Sequence, residues 1–288
     1  MLEQHYNTSV IKKFFSHFFV AIAAIASSFT LISTFYKIEW QDIYYWRFNA
    51  AWCWIIIITI VSVVYSCFQL RRKKSINVTI AENFKVTIKK GNLFDGKGII
   101  VIPVDECLNT HVGDGIINPR SVHGQFIQRY FNERERIKEL DGKIQSSLEK
   151  QGIIGKDIEE SQFRKNAKRK KYELGTCVEI SDGENKYIWV VATEYDDKNC
   201  VKLNRKDYSK VMNELFSFLE THVGDRSIHM PLIGAGNARL NCNPERILHY
   251  LIDYFDFSLS EKKLLGGVNI VIPSLKGINL NRISEIFT

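Results

Sequence analysis

Two short glycine-containing segments are the part of this sequence best suited to holding a phosphorylated ligand. The first segment is Val112, Gly113, Asp114, Gly115 and Ile116. The second is Gly234, Ala235, Gly236 and Asn237, with Arg239 two residues further on. Glycine has no Cβ, so backbone N–H groups in such loops can approach a pyrophosphate and donate to it. Arg239 is either a further partner of that phosphate or a surface arginine.

Acidic side chains follow a short apolar run at residues 98–104. Asp105 and Glu106 can accept hydrogen bonds from hydroxyl groups of a ligand or pair with a cationic group on it, and the alternative is a solvated turn. His111 and His123 lie nearby in the sequence, and each is either a ligand contact or a packing or helix-capping residue. The six cysteines include no Cys-x-x-Cys pair, so we expect no metal site.

The elements that must position these residues alternate between strands and helices. Patterning predicts strands within residues 76–92, 98–104, 176–180, 187–195, 227–236 and 268–274. It predicts helices at residues 123–150 (one helix, or two broken near Asp141 and Gly142), 207–222, 244–257 and 279–287. This order predicts an α/β domain with a mixed or parallel sheet covered by helices on both faces. Ligands bind at the carboxyl ends of the strands in such sheets, where both glycine segments fall.

The N-terminal quarter has a different character. Residues 14–36 and 48–70 contain no Asp, Glu, Lys or Arg. Each is 23 residues long, which as a helix spans roughly 34 Å, enough for a hydrocarbon core of about 30 Å. We therefore predict a two-helix transmembrane hairpin. The domains are then residues 1–74, the hairpin with its basic end, and residues 75–288.

Basic residues at the ends of the hairpin predict its orientation. Lys12 and Lys13 precede the first span, and the basic residues 71–74 follow the second. The connecting loop, residues 37–47, is balanced in charge. Because lysine and arginine favour the cytoplasmic side, we expect a multi-pass protein of the inner (plasma) membrane with both termini in the cytoplasm.

The positive charge of the chain is concentrated and does not indicate a nucleic-acid-binding surface. Of the formal +7, residues 71–74 contribute +4 and residues 75–288 only +2. A basic run within the second domain consists of Arg164, Lys165, Lys168, Arg169, Lys170 and Lys171. Such a run is either a solvated face or a contact for anionic lipid headgroups, and we expect no nucleic-acid partner.

The glycine segments and the strands that precede them resemble those of macro domains, across roughly residues 80–280. Residues 91–124 are similar to the opening of a macro domain, and residues 231–240 are similar to its second phosphate loop. Macro domains bind ADP-ribose and its relatives, and some hydrolyse ADP-ribosyl derivatives. A macro domain behind two predicted transmembrane spans resembles the membrane-anchored effectors of Thoeris antiphage systems.

The resemblance implies roles for individual residues. Asn92 and Leu93 occupy the place where the family's aspartate and isoleucine meet the adenine, and Asp95 is an alternative partner. The two glycine segments match the two phosphate loops. Residues 103–106 read Pro-Val-Asp-Glu where hydrolytic members carry asparagines, so we expect no catalytic residue.

The resemblance also implies a partner and a task. A TIR-domain enzyme would make an ADP-ribose-type signal from NAD, a histidine conjugate of ADP-ribose in the two-span branch. Binding of the signal to an assembly of several copies would disrupt the membrane and abort infection, with no further cofactor. One alternative is a membrane-tethered hydrolase of ADP-ribosyl derivatives that uses Asp105 or Glu106 as a general base. Another is a scaffold that recruits ADP-ribosylated proteins to the membrane.

Overall fold

The computed structural model describes residues 2–35, 47–71, 73–80, 84–159, 166–196, 200–236, 240, 242–259 and 264–287. The chain divides into two compact units, Met1–Lys73 and Lys74–Thr288. Every buried member of the hydrophobic core lies between Ile76 and Ile283. The second unit therefore has a complete core of its own, and we expect a fragment of residues 74–288 to fold by itself.

The described residues of the first unit form two helices that contact each other, α1 (Leu2–Phe35) and α2 (Arg47–Gln69). Within α1, the segment Val10–Ser28 is long and apolar enough to cross a membrane. The apolar segment found in the described part of α2, Ile56–Phe68, is shorter than the ~20 residues that a span requires. One candidate span is thus found where the sequence predicts two. The hairpin and its topology stay predictions, and residues 37–46 of the connecting loop lie outside the described residues.

A mixed sheet forms the centre of the second unit. The strands are β1 (Ser75–Ile80), β2 (Phe84–Lys90), β3 (Ile99–Asp105), β4 (Lys156–Asp157), β5 (Lys170–Lys171), β6 (Cys177–Asp182), β7 (Asn185–Tyr195), β8 (Val201–Lys202), β9 (Ile228–Pro231) and β10 (Val268–Ile272). The sheet order is β1-β2-β10-β9-β3-β7-β6, with β8 beside the end of β7. The strands from β2 to β7 in this order are parallel, whereas β1, β6 and β8 are antiparallel to their neighbours. The predicted strands are confirmed.

The described α-helices of the second unit are α3 (Val122–Tyr130), α4 (Arg134–Lys150), α5 (Arg205–His222), α6 (Pro244–Leu259) and α7 (Leu280–Phe287). One row of paired residues across the parallel strands consists of Val86, Val268, Ile228, Ile99 and Lys186. Side chains alternate along a strand, so Phe84 points to the same face as this row and Trp189 to the opposite face. Phe84 contacts Phe255 of α6, whereas Trp189 contacts Phe126 of α3. Helices therefore cover both faces, as predicted.

The break between α3 and α4 lies at residues 131–133, and the predicted break near Asp141 and Gly142 is wrong. Gly142 is inside α4, where a Cβ would meet nothing within 4 Å. Phe131 leaves the helical conformation, and its fully buried ring packs 5.5 Å from that of Phe126. The guanidinium of Arg136 covers the same ring at 4.7 Å. Burial of this phenylalanine decides where the helix ends.

Candidate ligand-binding cleft

A cleft of about 310 Å³ opens at the carboxyl ends of the parallel strands, where the sequence predicts the site. Its walls come from the ends of β3, β7, β9 and β10, from the loop before α3, and from the first turn of α3. The lining residues include Pro103, Asp105, Ile116, Asn118, Arg120, His123, Thr193, Leu232, Gly234, Gly236 and Pro273. Parallel strands end at one edge of the sheet, so residues far apart in sequence meet in one place.

A larger groove, of about 520 Å³, lies elsewhere in the second unit. Its lining includes Glu139 and Lys143 of α4, Glu179 of β6, and Phe218 and His222 of α5. This groove is away from the carboxyl ends of the parallel strands and contains neither glycine segment. We therefore take the smaller cleft as the candidate site.

The first glycine segment forms a tight turn beside this cleft. Gly113, Asp114 and Gly115 all have positive φ angles, of 105°, 50° and 75°. The Gly113 N–H donates to the Ile117 carbonyl at 3.0 Å, which closes the turn. Asp114 is a non-glycine residue in the left-handed region, and its Oδ2 lies 2.9 Å from His111 Nε2. Ile116 lines the cleft, and the preceding residues form the turn that presents it.

The second glycine segment follows β9 and also reaches the cleft. Gly234 has a φ of 88°, and a Cβ there would lie 2.9 Å from the Leu240 side chain. Gly234 and Gly236 line the cleft, whereas Ala235 packs on the hydrophobic core. The positive φ therefore favours a glycine at position 234, and a larger residue would also displace the Leu240 side chain. Asn237 and Arg239, also predicted as ligand contacts, lie outside the described residues.

The start of α3 adds polar groups that the sequence analysis missed. Ser121 is the N-cap, and its hydroxyl accepts from the Gly124 N–H at 3.0 Å. Arg120 has an exposed side chain that lines the cleft, and within the described residues its guanidinium has no hydrogen bond or ion pair. A serine before a helical pattern is a recognised N-cap signal, so this helix start was open to prediction. The position of the Arg120 side chain depends on the conformation of the loop before α3, so it could not be predicted from the sequence.

Asp105 is the acidic group of the cleft. It is 4% exposed, and its Oδ1 accepts from the Cys107 N–H at 2.9 Å and from Asn109 Nδ2 at 2.8 Å. Burial raises the pKa of this carboxyl to about 6, and the hydrogen bonds from Cys107 and Asn109 oppose that rise. A cation or hydroxyl donor on a ligand would stabilise the ionised form.

His123 lies next to this carboxyl. Its Nδ1 is 3.7 Å from Asp105 Oδ2, and its ring contacts Trp189 edge-on at 4.8 Å. Burial lowers the pKa of His123 to about 3, so the ring is neutral at physiological pH. Ser121 caps the helix, so His123 is a packing residue that also forms part of the cleft wall. Among the described residues, nothing hydrogen-bonds its buried Nε2.

Glu106 points away from the cleft and holds the end of β7. Its carboxylate accepts from the Tyr195 N–H at 3.1 Å, and its carbonyl accepts from the Tyr172 N–H at 2.8 Å. The two neighbouring acids therefore do different work. Asp105 lines the cleft, whereas Glu106 connects the end of β3 to Tyr195 of β7 and to Tyr172.

Asn92 and Leu93 form a short turn after β2 and are not among the residues that line the cleft. The Asn92 side-chain oxygen accepts from the Phe94 N–H at 3.2 Å, and its Nδ2 donates to Asp95 at 3.0 Å. Leu93 is buried in the core. The predicted contact of Asn92 and Leu93 with adenine stays a prediction.

Asn109 is a second residue that the sequence analysis missed. It is 1% exposed, and its Nδ2 donates to Asp105 while its Oδ1 accepts from the Lys168 N–H at 2.8 Å. The amide thus connects the cleft carboxyl to a segment almost sixty residues away in the sequence. Spacing alone does not reveal such a contact.

Within the described ranges, no group of three or more His, Cys, Asp or Glu side chains can hold a metal ion.

Comparison with known proteins decides the family. A sequence model of the family described as "Thoeris protein ThsA, Macro domain" matches residues 86–273, about two thirds of the chain. This chain belongs to that family. The matched region of the ThsA macro-domain family runs from β2 to the end of β10 and includes every described wall of the cleft.

Individual relatives agree with this assignment. The chain is 28% identical over 279 residues to Thoeris protein ThsA of Bacillus amyloliquefaciens (strain Y2), covering 92% of this chain and 88% of that protein. That coverage exceeds the length of Lys74–Thr288, so the similarity extends into the N-terminal unit.

Solved macrodomains of Oceanobacillus iheyensis are more distant. A mutant with ADPR has a TM-score of 0.49 and 13% identity, covering 74% of this chain and 98% of that chain. The form with ADP has a TM-score of 0.49 and 14% identity, covering 74% and 96%. TM-scores below 0.5 do not assign this chain to a family, and the assignment above depends on the match to the family model.

Proposed function

We propose that this protein is a membrane-bound antiphage effector whose second unit binds an ADP-ribose-type signal. Membership in the ThsA macro-domain family supports the antiphage role. One observation carries the binding proposal. Asp105, Ile116 and the glycines of the second loop meet in one cleft at the carboxyl ends of the parallel strands.

The cleft suits the two ends of such a ligand. The backbone of the second glycine loop, the first turn of α3 and the guanidinium of Arg120 would hold the pyrophosphate. Asp105 would accept a hydrogen bond from the distal ribose or pair with a cation attached to it. The histidine conjugate of ADP-ribose, made by a partner TIR-domain enzyme, has both features. We propose it as the signal.

The first unit would convert binding into membrane damage. Val10–Ser28 is apolar enough to span a bilayer. Small polar side chains of α2, Ser62 and Ser66, are fully buried, while Ile60 and Val64 of the same helix are exposed. Small residues inside and large apolar residues outside are typical of helices packed in lipid. A hairpin in the inner membrane, with both termini cytoplasmic and several copies assembled by the signal, would open a lesion if the ligand binds the assembled state better.

Titration calorimetry of residues 74–288 with ADP-ribose and with its histidine conjugate tests the binding proposal. Arg120→Ala should weaken binding at least tenfold, because it removes a charge-assisted contact worth about 1.5–3 kcal/mol. Arg134→Ala, an exposed arginine of α4 outside the cleft, is the matched control. Absence of binding to either ligand would refute the proposal. Leakage of dye from vesicles that contain the full chain, on addition of the signal, tests the membrane step.

A hydrolase of ADP-ribosyl derivatives is the second candidate. The observation that favours it is the buried pair of Asp105 and His123, because a carboxyl with a pKa of about 6 in the cleft is suited to act as a general base. We propose that the protein binds without hydrolysis, since residues 103–106 replace the asparagines of hydrolytic members. Chromatography of the ligand after each titration separates the two, because a hydrolase returns product and a binder returns intact ligand.

A further inference from the structure

The chain between α4 and β6 begins with residues 151–171, and the described part of this segment forms an arm on the second unit. Its strands β4 and β5 pair antiparallel in a small sheet separate from the central one. The described parts of the arm are residues 151–159 and 166–171. None of the described arm residues lines the cleft, so the proposed ligand binding does not account for the arm.

The arm carries the positive charge of the second unit. Residues 151–171 contain seven Lys or Arg and three Asp or Glu, a net charge of +4. Residues 75–288 together carry only +2, so the remainder of the unit is net negative. A segment of net positive charge on a domain whose remainder is net negative can orient the domain toward an anionic surface.

The exposed side chains of the arm combine charge with an apolar group. Lys156, Arg169 and Lys170 are exposed. Ile154 is 87% exposed, the highest value among the large apolar residues of the described chain. Cations reach lipid phosphates, and an isoleucine beside them can enter the region between headgroups and acyl chains.

The arm is held in place on the domain. The Lys168 N–H donates to the side chain of Asn109, and Lys168 Nζ pairs with Asp141 at 2.6 Å. Asn166 Nδ2 donates to Asp114 at 3.3 Å. The cations are therefore presented from a fixed support, unlike a freely solvated basic run.

We propose that the arm is a binding surface for the anionic face of a phospholipid bilayer. Residues 151–171 contain one aromatic residue, Phe163, whereas proteins that bind single-stranded nucleic acid stack successive bases on several aromatic side chains. A membrane therefore fits better than RNA or DNA. The proposal does not depend on ADP-ribose binding, because the arm and the cleft are different surfaces.

Co-sedimentation of residues 74–288 with vesicles tests this proposal. We expect binding to vesicles of phosphatidylcholine mixed with phosphatidylserine, little binding to phosphatidylcholine alone, and weakening by salt. The double variant Arg169→Glu, Lys170→Glu should lose at least tenfold in affinity, since each basic residue near an anionic surface contributes about fivefold. Ile154→Ser should weaken binding less than the double variant.

The control is the double variant Arg134→Glu, Lys138→Glu, which makes the same charge change at exposed positions of α4. Near-ultraviolet circular dichroism verifies that each variant is folded. The proposal is overturned if the control loses as much affinity as the arm variant, or if the wild-type fragment does not distinguish the two kinds of vesicle. Tighter binding to single-stranded RNA than to acidic vesicles would also overturn it.

Discussion

Replacing Asp105 by asparagine isolates the cost of keeping a carboxylate inside the cleft. Asparagine retains an Oδ1 that accepts from the Cys107 N–H and from Asn109. Its amide can also donate toward His123 Nδ1, which lies 3.7 Å from Asp105 Oδ2. The substitution therefore removes the charge and preserves the hydrogen bonds.

The size of the effect follows from the pKa of Asp105. Between its ordinary value of 3.8 and about 6, the native protein holds a proton that the unfolded chain has released, so stability falls as pH rises. The loss is about 1.6 kcal/mol at pH 5 and about 3 kcal/mol at pH 7. The asparagine of the variant does not titrate in this range. The stability of Asp105→Asn relative to wild type should therefore increase by about 2 kcal/mol between pH 4 and pH 7.

Urea unfolding of residues 74–288, followed by fluorescence, measures this difference. Trp189 is the single tryptophan of that fragment and is fully buried against His123. Protonation of His123 destabilises both proteins at low pH, so it largely cancels in the difference.

Asp182→Asn is a control of opposite sign. Burial opposes ionisation of Asp182, but hydrogen bonds from Arg136 and Lys143 lower its pKa below the ordinary value. Wild type should therefore gain stability over Asp182→Asn as pH rises, and lose that gain as pH falls through the lowered pKa. A stability difference for Asp105→Asn that is constant with pH, or that favours wild type at pH 7, would refute the account of Asp105.

Three further substitutions test the packing that supports the cleft, each measured by urea unfolding of the same fragment. Gly98→Ala should cost about 2 kcal/mol or more, because the backbone has a φ of 124° and the new Cβ would lie 2.3 Å from the Ser227 carbonyl oxygen; an unchanged midpoint would contradict this. Glu245→Gln should cost about 1–3 kcal/mol, since the buried carboxylate accepts from Arg282 Nε at 2.7 Å. An unchanged unfolding midpoint in this isosteric, neutral variant would argue against a role for the charge. Phe126→Ala should cost about 3–5 kcal/mol, because this fully buried ring of α3 packs on Tyr187 and Trp189 of β7. A loss below about 1 kcal/mol would show that the site collapses.

Much of the fold follows from the sequence because it depends on local pattern. A strand buried on both faces must be apolar at every position, so residues 98–104 are recognisable as a strand. Glycine segments directly after strands predict loops at the sheet edge, and the structure places Gly234 there with a positive φ. The ends of the long helical region were less accessible, because the break at Phe131 depends on the partners of its ring.

The composition of the cleft depended on the tertiary structure. Asp105 and Glu106 are equivalent by type and position, yet only Asp105 faces the cleft. Asp105 is the last residue of β3, and its carboxylate is fixed by the Cys107 N–H and Asn109, whereas Glu106 begins the following turn and its carboxylate accepts from the Tyr195 N–H. Arg120 lines the cleft together with residues of other elements, and Asn109 accepts a hydrogen bond from the Lys168 N–H. Both contacts join residues that are distant in the chain, so the sequence did not reveal them.

The sequence by itself determined the strands, the glycine loops and the concentration of apolar residues near the N-terminus, because these depend on residue type and spacing. Only the tertiary structure decided which carboxylate lines the cleft and how far its pKa rises. Burial is a property of everything packed around a group, and for Asp105 that includes His123, eighteen residues away and on a different element.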